Sequence, residues 1–160
     1  MADQARAPIL YIDANPFIYA VEGDDAIAAP IKELFEFLKR RPAMGVTSEL
    51  TLAEVLPKVA FPRHKRQHLD LIIWSGIFQL QPVTRSILLE TVRYRHFMTT
   101  RRSNRAKAMP KLPDAIHVVT AIQTKCKYFL SSDSGIKLPA HLQLVKPDER
   151  GISAVIKNLA

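Results

Sequence analysis

The sequence predicts an α/β fold with a mostly parallel central sheet of about five strands, flanked by helices. Short apolar runs alternate with amphipathic segments along the chain, an order typical of parallel sheets. The first run, Ile9–Ile12, is rich in β-forming residues and has no polar position, which indicates a strand buried on both faces. It ends at Asp13, and open α/β sheets bind ligands outside the carboxyl ends of their strands. Asp13 could equally be only a turn or helix-capping residue.

The composition is that of a globular protein. Of the 160 residues, 48% are hydrophobic and 24% are charged, which predicts a single domain over residues 1–160 with a sizeable core. No apolar run is long enough to cross a bilayer, and residues 1–7 lack the apolar stretch of a secretory signal. Cys126 is the only cysteine. We therefore expect a cytoplasmic protein without a disulfide or a membrane association.

The net charge of +8 favours a polyanionic partner or simply high solubility. The densest basic run, TRRSNRAKAMPK over residues 100–111, contains no acid and lies directly before Asp114. Such a run is usually a solvated loop. Its place beside an acid nevertheless makes it a candidate surface for a phosphate backbone.

The first half of the chain predicts two helices, a strand and a third helix. Apolar periodicity indicates helices over residues 17–21 and from about 24 to 41, where Pro42 stops the second one. Residues 44–47 form a short strand, after which Ser48 can cap a helix that ends or kinks at Pro57.

Glu54 lies on the apolar side of that third helix. It follows Leu50 by four residues, so the two side chains share a face. Burying an unpaired carboxylate is costly, so such an acid usually has a cation, a metal or a water-filled cleft beside it. The alternative is that Glu54 lies at the edge of the stripe and extends into solvent.

The middle of the chain predicts a helix over residues 63–75, ended by Gly76, with Trp74 packed in the core. Residues 78–83, FQLQPV, alternate apolar and polar side chains, which indicates a strand toward the sheet edge. Thr84 can cap the helix that follows.

The last third predicts a buried helix and two strands. The helix begins near Pro113 and Asp114 and is apolar almost all round. Asp114 could be no more than its cap, and His117 is more typical of a satisfied core or cleft histidine than of a ligand or base. Strands are expected over residues 128–131, just before Asp133, and over 143–145. Residues 148–160 fit either a last helix or an interaction tail.

Four acids can reach the same crevice in this arrangement. Asp13 and Asp133 follow strand ends, Asp114 begins a buried helix, and Glu54 lies on a helix after a strand. Clustered carboxylates repel one another unless a cation neutralises them. Hard oxygen ligands suit Mg²⁺ or Mn²⁺, and no cysteine and histidine set with zinc-ligand spacing is present.

Four segments of the chain carry a family resemblance: YIDANPFIYA, TSELTLAEV, LPDAIHVVTA and FLSSDSGI. In their order and spacing, over nearly the whole chain, they resemble PIN-domain ribonucleases, in particular the VapC-type toxins of prokaryotic toxin–antitoxin operons. The resemblance implies a PIN fold and an endoribonuclease that uses Mg²⁺ or Mn²⁺, as one or two ions. It also implies an RNA substrate, a cognate VapB-like antitoxin whose tail blocks the cleft, and a homodimer.

The resemblance assigns roles to particular residues. It implies that the metal-binding and catalytic set is Asp13, Glu54, Asp114 and Asp133, with Asn15 and Ser131 in supporting positions. Many relatives carry a further acid shortly after the position of Asp133, where this chain has SGI at residues 134–136. The number of metal ions therefore stays open.

Six basic side chains are candidates to hold the RNA backbone, and phosphate contacts of this kind position a substrate without identifying its bases. They are Arg93, Arg101, Arg102, Arg105, Lys107 and Lys111.

Two other functions are alternatives to a ribonuclease. A HAD-type phosphatase needs a second Asp two residues after the first, where Asn15 stands. A non-catalytic RNA-binding or scaffold protein on the same fold would bind RNA without a metal.

Overall fold

The computed structural model describes residues 9–100 and 109–160, except for the side chain of Thr100. Five parallel strands form one sheet in the order β3-β2-β1-β4-β5. The strands are β1 (Leu10–Ile12), β2 (Gly45–Ser48), β3 (Phe78–Gln81), β4 (Tyr128–Leu130) and β5 (Gln143–Val145). This confirms the predicted α/β class and the parallel sheet of about five strands.

Helices connect and cover these strands. They are α1 (Ala14–Glu22), α2 (Asp25–Lys39), α3 (Leu50–Val55), α4 (Pro62–Leu69), α5 (Arg85–Thr100), α6 (Leu112–Gln123) and α7 (Glu149–Leu159). A 3₁₀ turn (Leu56–Lys58) follows α3, and a π turn (Asp70–Trp74) follows α4. The C-terminal segment, which the sequence left as a helix or a tail, is the helix α7. No helix in the described part of the chain is long and apolar enough to span a membrane.

Strand β1 lies at the centre of the sheet, between β2 and β4. Leu10 is in register with Gly45 on one side and Tyr128 on the other. The strand order reverses between β1 and β4, and a crevice forms at such a switch point, outside the carboxyl ends of the strands. The residues that follow β1 and β4 therefore face the same crevice.

The side chains of β1 alternate between two apolar clusters. Leu10 and Ile12 belong to the larger one, which includes Phe17 of α1. Tyr11 points to the opposite face and packs with Val118 of α6. All five side chains are fully buried, as a strand covered on both faces requires.

The predicted position of Trp74 in the core was wrong, because its exposed fraction is 66%. The chain changes from the α-helix α4 to a wider π turn at Asp70, and Ile72 is the residue of that turn that is buried. Trp74 follows Ile72 by two positions, and residues at that spacing do not share a helix face, so its side chain lies away from the core.

Two helix starts differ from the predictions, and the predicted edge strand is confirmed. Helix α1 begins at Ala14, three residues earlier than predicted, because Asp13 caps it. Asp114 lies in the first turn of α6 rather than at the cap, which is Lys111. The edge position expected for residues 78–83 is confirmed, since β3 is an outer strand of the sheet.

Candidate metal centre at the carboxyl end of the sheet

Asp13 is buried at the end of β1 and is held from several sides. Its backbone N–H donates to the carbonyl oxygen of Leu130, at 3.0 Å. Its Oδ1 atom accepts from the N–H of Ala14 at 2.8 Å, and its Oδ2 atom accepts from the hydroxyl of Ser131 at 2.8 Å. Asp13 is thus a helix cap and also a carboxylate in the crevice, so the two interpretations of this residue are compatible.

Helix α3 carries Glu54 to the same place. The hydroxyl of Thr47 donates to the carbonyl oxygen of Ile12 at 2.8 Å and hydrogen-bonds Thr51 at the same distance. These buried contacts attach the start of α3 to β1. The Glu54 side chain is 23% exposed, and its Oε2 atom lies 2.5 Å from Nε2 of His117.

His117 of α6 is fully buried and contacts two of the predicted acids. Its Nε2 atom, besides contacting Glu54, lies 3.5 Å from Oδ1 of Asp13. Its Nδ1 atom lies 2.7 Å from the hydroxyl oxygen of Tyr11. One ligand atom from each of Asp13, Glu54 and His117 lies within 4.8 Å of the others. This trio is a candidate metal-binding group.

Sequence analysis placed His117 correctly as a buried histidine but did not assign it to the site. A signal was present in the spacing, because His117 follows Asp114 by three residues on one helix. Side chains at that spacing share a face, so the face that brings Asp114 to the crevice also brings His117.

Asp114 and Asp133 border this trio. Burial raises the pKa of Asp114 above its ordinary value of 3.8, and the negative charges of Asp13 and Asp133 raise it further. Lys111 and His117 act in the opposite direction. Asp114 and Asp133 both line a cavity of about 140 Å³, together with Lys111 and Lys137. The four predicted acids therefore lie in one crevice, with Asp133 on its exposed rim.

The raised pKa of Asp114 predicts a dependence of stability on pH. Because the folded-state pKa lies above the unfolded one, the free energy of unfolding falls as pH rises from 3.8 through the raised value. The ionised Asp114 carboxylate therefore lowers the free energy of unfolding at neutral pH. We expect Asp114→Asn to raise the Tm of the metal-free protein at pH 7.5, by roughly 1–3 °C since Asp114 is only half-buried.

The measurement is thermal unfolding in EDTA at several pH values between 4 and 8. The advantage of Asp114→Asn should shrink as pH falls toward 3.8. The exposed Asp25→Asn variant serves as the control. A lower Tm for Asp114→Asn than for the unchanged protein at pH 7.5 would contradict the electrostatic picture.

The predicted supporting residues lie on two sides of the crevice, Asn15 in the first turn of α1 and Ser131 directly after β4. Ser131 donates to Asp13 and accepts from the backbone N–H of Asp133 at 3.1 Å, so one hydroxyl joins two acids. The amide of Asn15 donates to the hydroxyl of Ser132 at 3.0 Å, which connects the first turn of α1 to the loop after β4.

The basic candidates are distributed unevenly. Lys111 lines the acidic cavity. Arg93 is exposed on α5 and pairs with Glu90, one turn earlier. The remaining four, Arg101, Arg102, Arg105 and Lys107, lie outside the described residues.

A sequence model of the PIN domain family matches residues 10–142, which is most of the chain. The match ends just before β5 and α7. The chain belongs to the PIN domain family. No curated protein sequence matches it. Membership places the chain in a family of nucleases, as the sequence resemblance implied.

Solved structures show that this PIN domain has the fold of VapC-type toxins. VapC20 of Mycobacterium tuberculosis, a sarcin-ricin loop cleaving toxin, is 16% identical with a TM-score of 0.60, over 79% of this chain and 92% of its own. VapBC2 of Rickettsia felis, bound to a promoter DNA fragment, is 15% identical with a TM-score of 0.61, over 86% and 98%. DNA-bound VapBC of Salmonella typhimurium is 12% identical with a TM-score of 0.62, over 88% and 98%.

Proposed function

We propose that this PIN domain is a Mg²⁺- or Mn²⁺-dependent endoribonuclease and the toxin of a toxin–antitoxin pair. The observation that carries the proposal is the convergence of Asp13, Glu54, Asp114 and Asp133 on one crevice at the carboxyl end of β1. Burial raises the pKa of Asp114, and the negative charges of Asp13 and Asp133 raise it further. A bound cation relieves repulsion of this kind. Carboxylate oxygens are the ligands that Mg²⁺ and Mn²⁺ prefer, so the donor set fits one or two such ions.

The chemistry is hydrolysis of an RNA phosphodiester bond. When bound, the metal lowers the pKa of water and stabilises negative charge on the phosphate. The protein residues position the reactants. Ser131 fixes the orientation of the Asp13 carboxylate, and Asn15 holds the loop beside it. In this proposal either Glu54 or Asp114 orients or deprotonates the attacking water.

Basic residues at the rim complete the substrate site in this proposal. Lys111, which lines the cavity beside Asp114, contacts the RNA backbone close to the scissile phosphate. Arg93 and the basic run at residues 101–107 extend the contact along the strand. Phosphate contacts of this kind give affinity and register but little base selectivity.

We further propose that a VapB-like antitoxin binds this chain and blocks the crevice, and that the chain forms a homodimer. The support is the likeness of the fold to the two VapBC structures, which contain toxin and antitoxin chains bound to DNA. In this proposal a small gene beside the one for this chain encodes the antitoxin.

The test is cleavage of defined RNAs by the purified chain in Mg²⁺, in Mn²⁺ and in EDTA. We expect cleavage with either metal, its loss in EDTA, and its return when excess Mn²⁺ is added to the EDTA sample. Equal cleavage in EDTA would contradict the proposal. RNA that is bound but intact in every condition would instead support a non-catalytic RNA-binding protein.

A further inference from the structure

His117 is the one histidine of the acidic crevice, and the position of its imidazole ring is set by both nitrogen atoms. Nδ1 lies 2.7 Å from the Tyr11 hydroxyl oxygen, and Nε2 lies 2.5 Å from Oε2 of Glu54. The residue is fully buried. A buried imidazole held at both ends cannot turn away from its partners without losing hydrogen bonds in a dry environment.

The contact between His117 and Glu54 is a hydrogen bond with the proton on the imidazole. A lone pair on Nε2 in contact with a carboxylate oxygen would repel it, whereas an N–H group donates to that oxygen in a charge-assisted hydrogen bond. Nε2–H therefore donates to Glu54, and the lone pair on Nδ1 accepts from the Tyr11 hydroxyl. Burial is the largest cause that raises the pKa of Tyr11 well above 10, so its hydroxyl keeps the proton that it donates.

This arrangement disfavours His117 as a metal ligand. A nitrogen that coordinates a metal needs its lone pair, and on Nε2 that lone pair is replaced by the N–H bond that donates to Glu54. The Nε2–H group also lies 3.5 Å from Oδ1 of Asp13, which places a donor between two carboxylates.

We infer that His117 is a positioning residue of the metal centre, which holds the Glu54 carboxylate beside Asp13 through a Tyr11–His117–Glu54 hydrogen-bond chain. The inference rests on the proposed function, because it assigns a role within that metal site. By occupying Oε2 of Glu54, His117 leaves Oε1 for the ion. Its N–H also offsets the repulsion between Glu54 and Asp13 before the ion binds, so the site is pre-organised.

Tyr11 has a fixed position from which the Tyr11–His117–Glu54 hydrogen bonds can hold Glu54. Its ring is fully buried in β1 and stacks on Phe129 of β4, with the ring centroids 5.1 Å apart. The hydroxyl position is therefore set by the two central strands of the sheet. Through His117, the Tyr11 hydroxyl holds the side chain of Glu54 on the short helix α3. Without these hydrogen bonds that side chain would extend toward solvent.

The test is the affinity for Mn²⁺, measured from the free Mn²⁺ signal in EPR, which needs no RNA cleavage. We expect His117→Leu to weaken Mn²⁺ binding about 10–100-fold, as the loss of an outer partner of a metal ligand commonly does. His117→Gln, whose amide nitrogen can reach the position of Nε2, should recover most of the affinity. Tyr11→Phe should weaken binding to an intermediate extent.

A matched control is available in His68 of α4, which is also fully buried and lies 3.2 Å from a glutamate oxygen, that of Glu22. His68→Leu removes the same kind of contact away from the crevice and should leave Mn²⁺ affinity unchanged. Pulsed EPR of bound Mn²⁺ should show no directly coordinated ¹⁴N. Compared with the unchanged protein, His117→Leu should lose more RNA cleavage at low Mn²⁺ than at saturating Mn²⁺.

Two results would overturn the inference. One is unchanged Mn²⁺ affinity in His117→Leu or, if that variant does not fold, in Tyr11→Phe. The other is a ¹⁴N coupling that disappears in His117→Gln, which would make His117 a ligand. If the unchanged protein binds no Mn²⁺, or if Asp13→Asn binds it equally well, the proposed metal site itself fails and the role of His117 fails with it.

Discussion

Asp13→Asn is expected to reduce RNA cleavage on the order of 10³-fold or more. The substitution removes a negative charge and one carboxylate oxygen from the centre of the proposed metal site. Asn still caps α1, because Asn and Asp are about equally good caps, so the loss should come from chemistry and not from unfolding. Cleavage rates and thermal unfolding, measured on the same preparations, separate the two causes.

Asp24→Asn is the matched control for this experiment. Asp24 caps α2 by accepting from the N–H of Ile27 at 3.1 Å, as Asp13 caps α1 by accepting from Ala14. Asp24→Asn therefore makes the same change, Asp to Asn at a helix cap, away from the crevice, and it should leave RNA cleavage unchanged. Retained cleavage in Asp13→Asn, or equal losses in both variants, would remove Asp13 from the mechanism.

Phe17→Ala is expected to lower the free energy of unfolding by about 3–5 kcal/mol. The Phe17 side chain is fully buried, and its ring centroid lies 5.5 Å from that of Phe35 and 5.0 Å from that of Phe78. Its removal leaves a cavity between α1, α2 and β3. For a domain of this length the Tm should fall by about 6–20 °C, which thermal unfolding followed by circular dichroism would measure.

Phe61→Ala supplies the comparison for that measurement. Phe61 has an exposed fraction of 53% at the start of α4, and its main contacts are the ring of His64 and the guanidinium of Arg63. Truncation there should cost about 1 kcal/mol or less. If Phe17→Ala shifts the Tm no more than Phe61→Ala does, the packing of α1 against the sheet is not as the structure describes it.

The fold class was predictable because its signals are local. The apolar run at Ile9–Ile12 and the alternation at residues 78–83 each report their own surroundings, and they correctly indicated a central strand and an edge strand. The convergence of the four acids followed from topology, since residues after parallel strands face one edge of the sheet. Each of these inferences needed only the order of elements along the chain.

The partners of His117 were not predictable in the same way. The histidine lies 106 positions from Tyr11 and 63 from Glu54, and no local pattern relates residues so far apart. Trp74 failed for a different reason. Its large apolar ring suits a core position, but the core contact of this turn is made by Ile72, and a residue two positions later lies on another side of the turn.

The most direct test of the central claim is a titration of the unchanged protein and Asp13→Asn with Mn²⁺, in which bound metal and RNA cleavage are measured on the same samples. The carboxylate site predicts that cleavage rises in proportion to bound Mn²⁺ in the unchanged protein. It also predicts that both quantities are lost in Asp13→Asn while the Tm stays within a few degrees. Cleavage that is already complete before Mn²⁺ binds, or that persists in Asp13→Asn, would contradict a metal-dependent ribonuclease site at these acids.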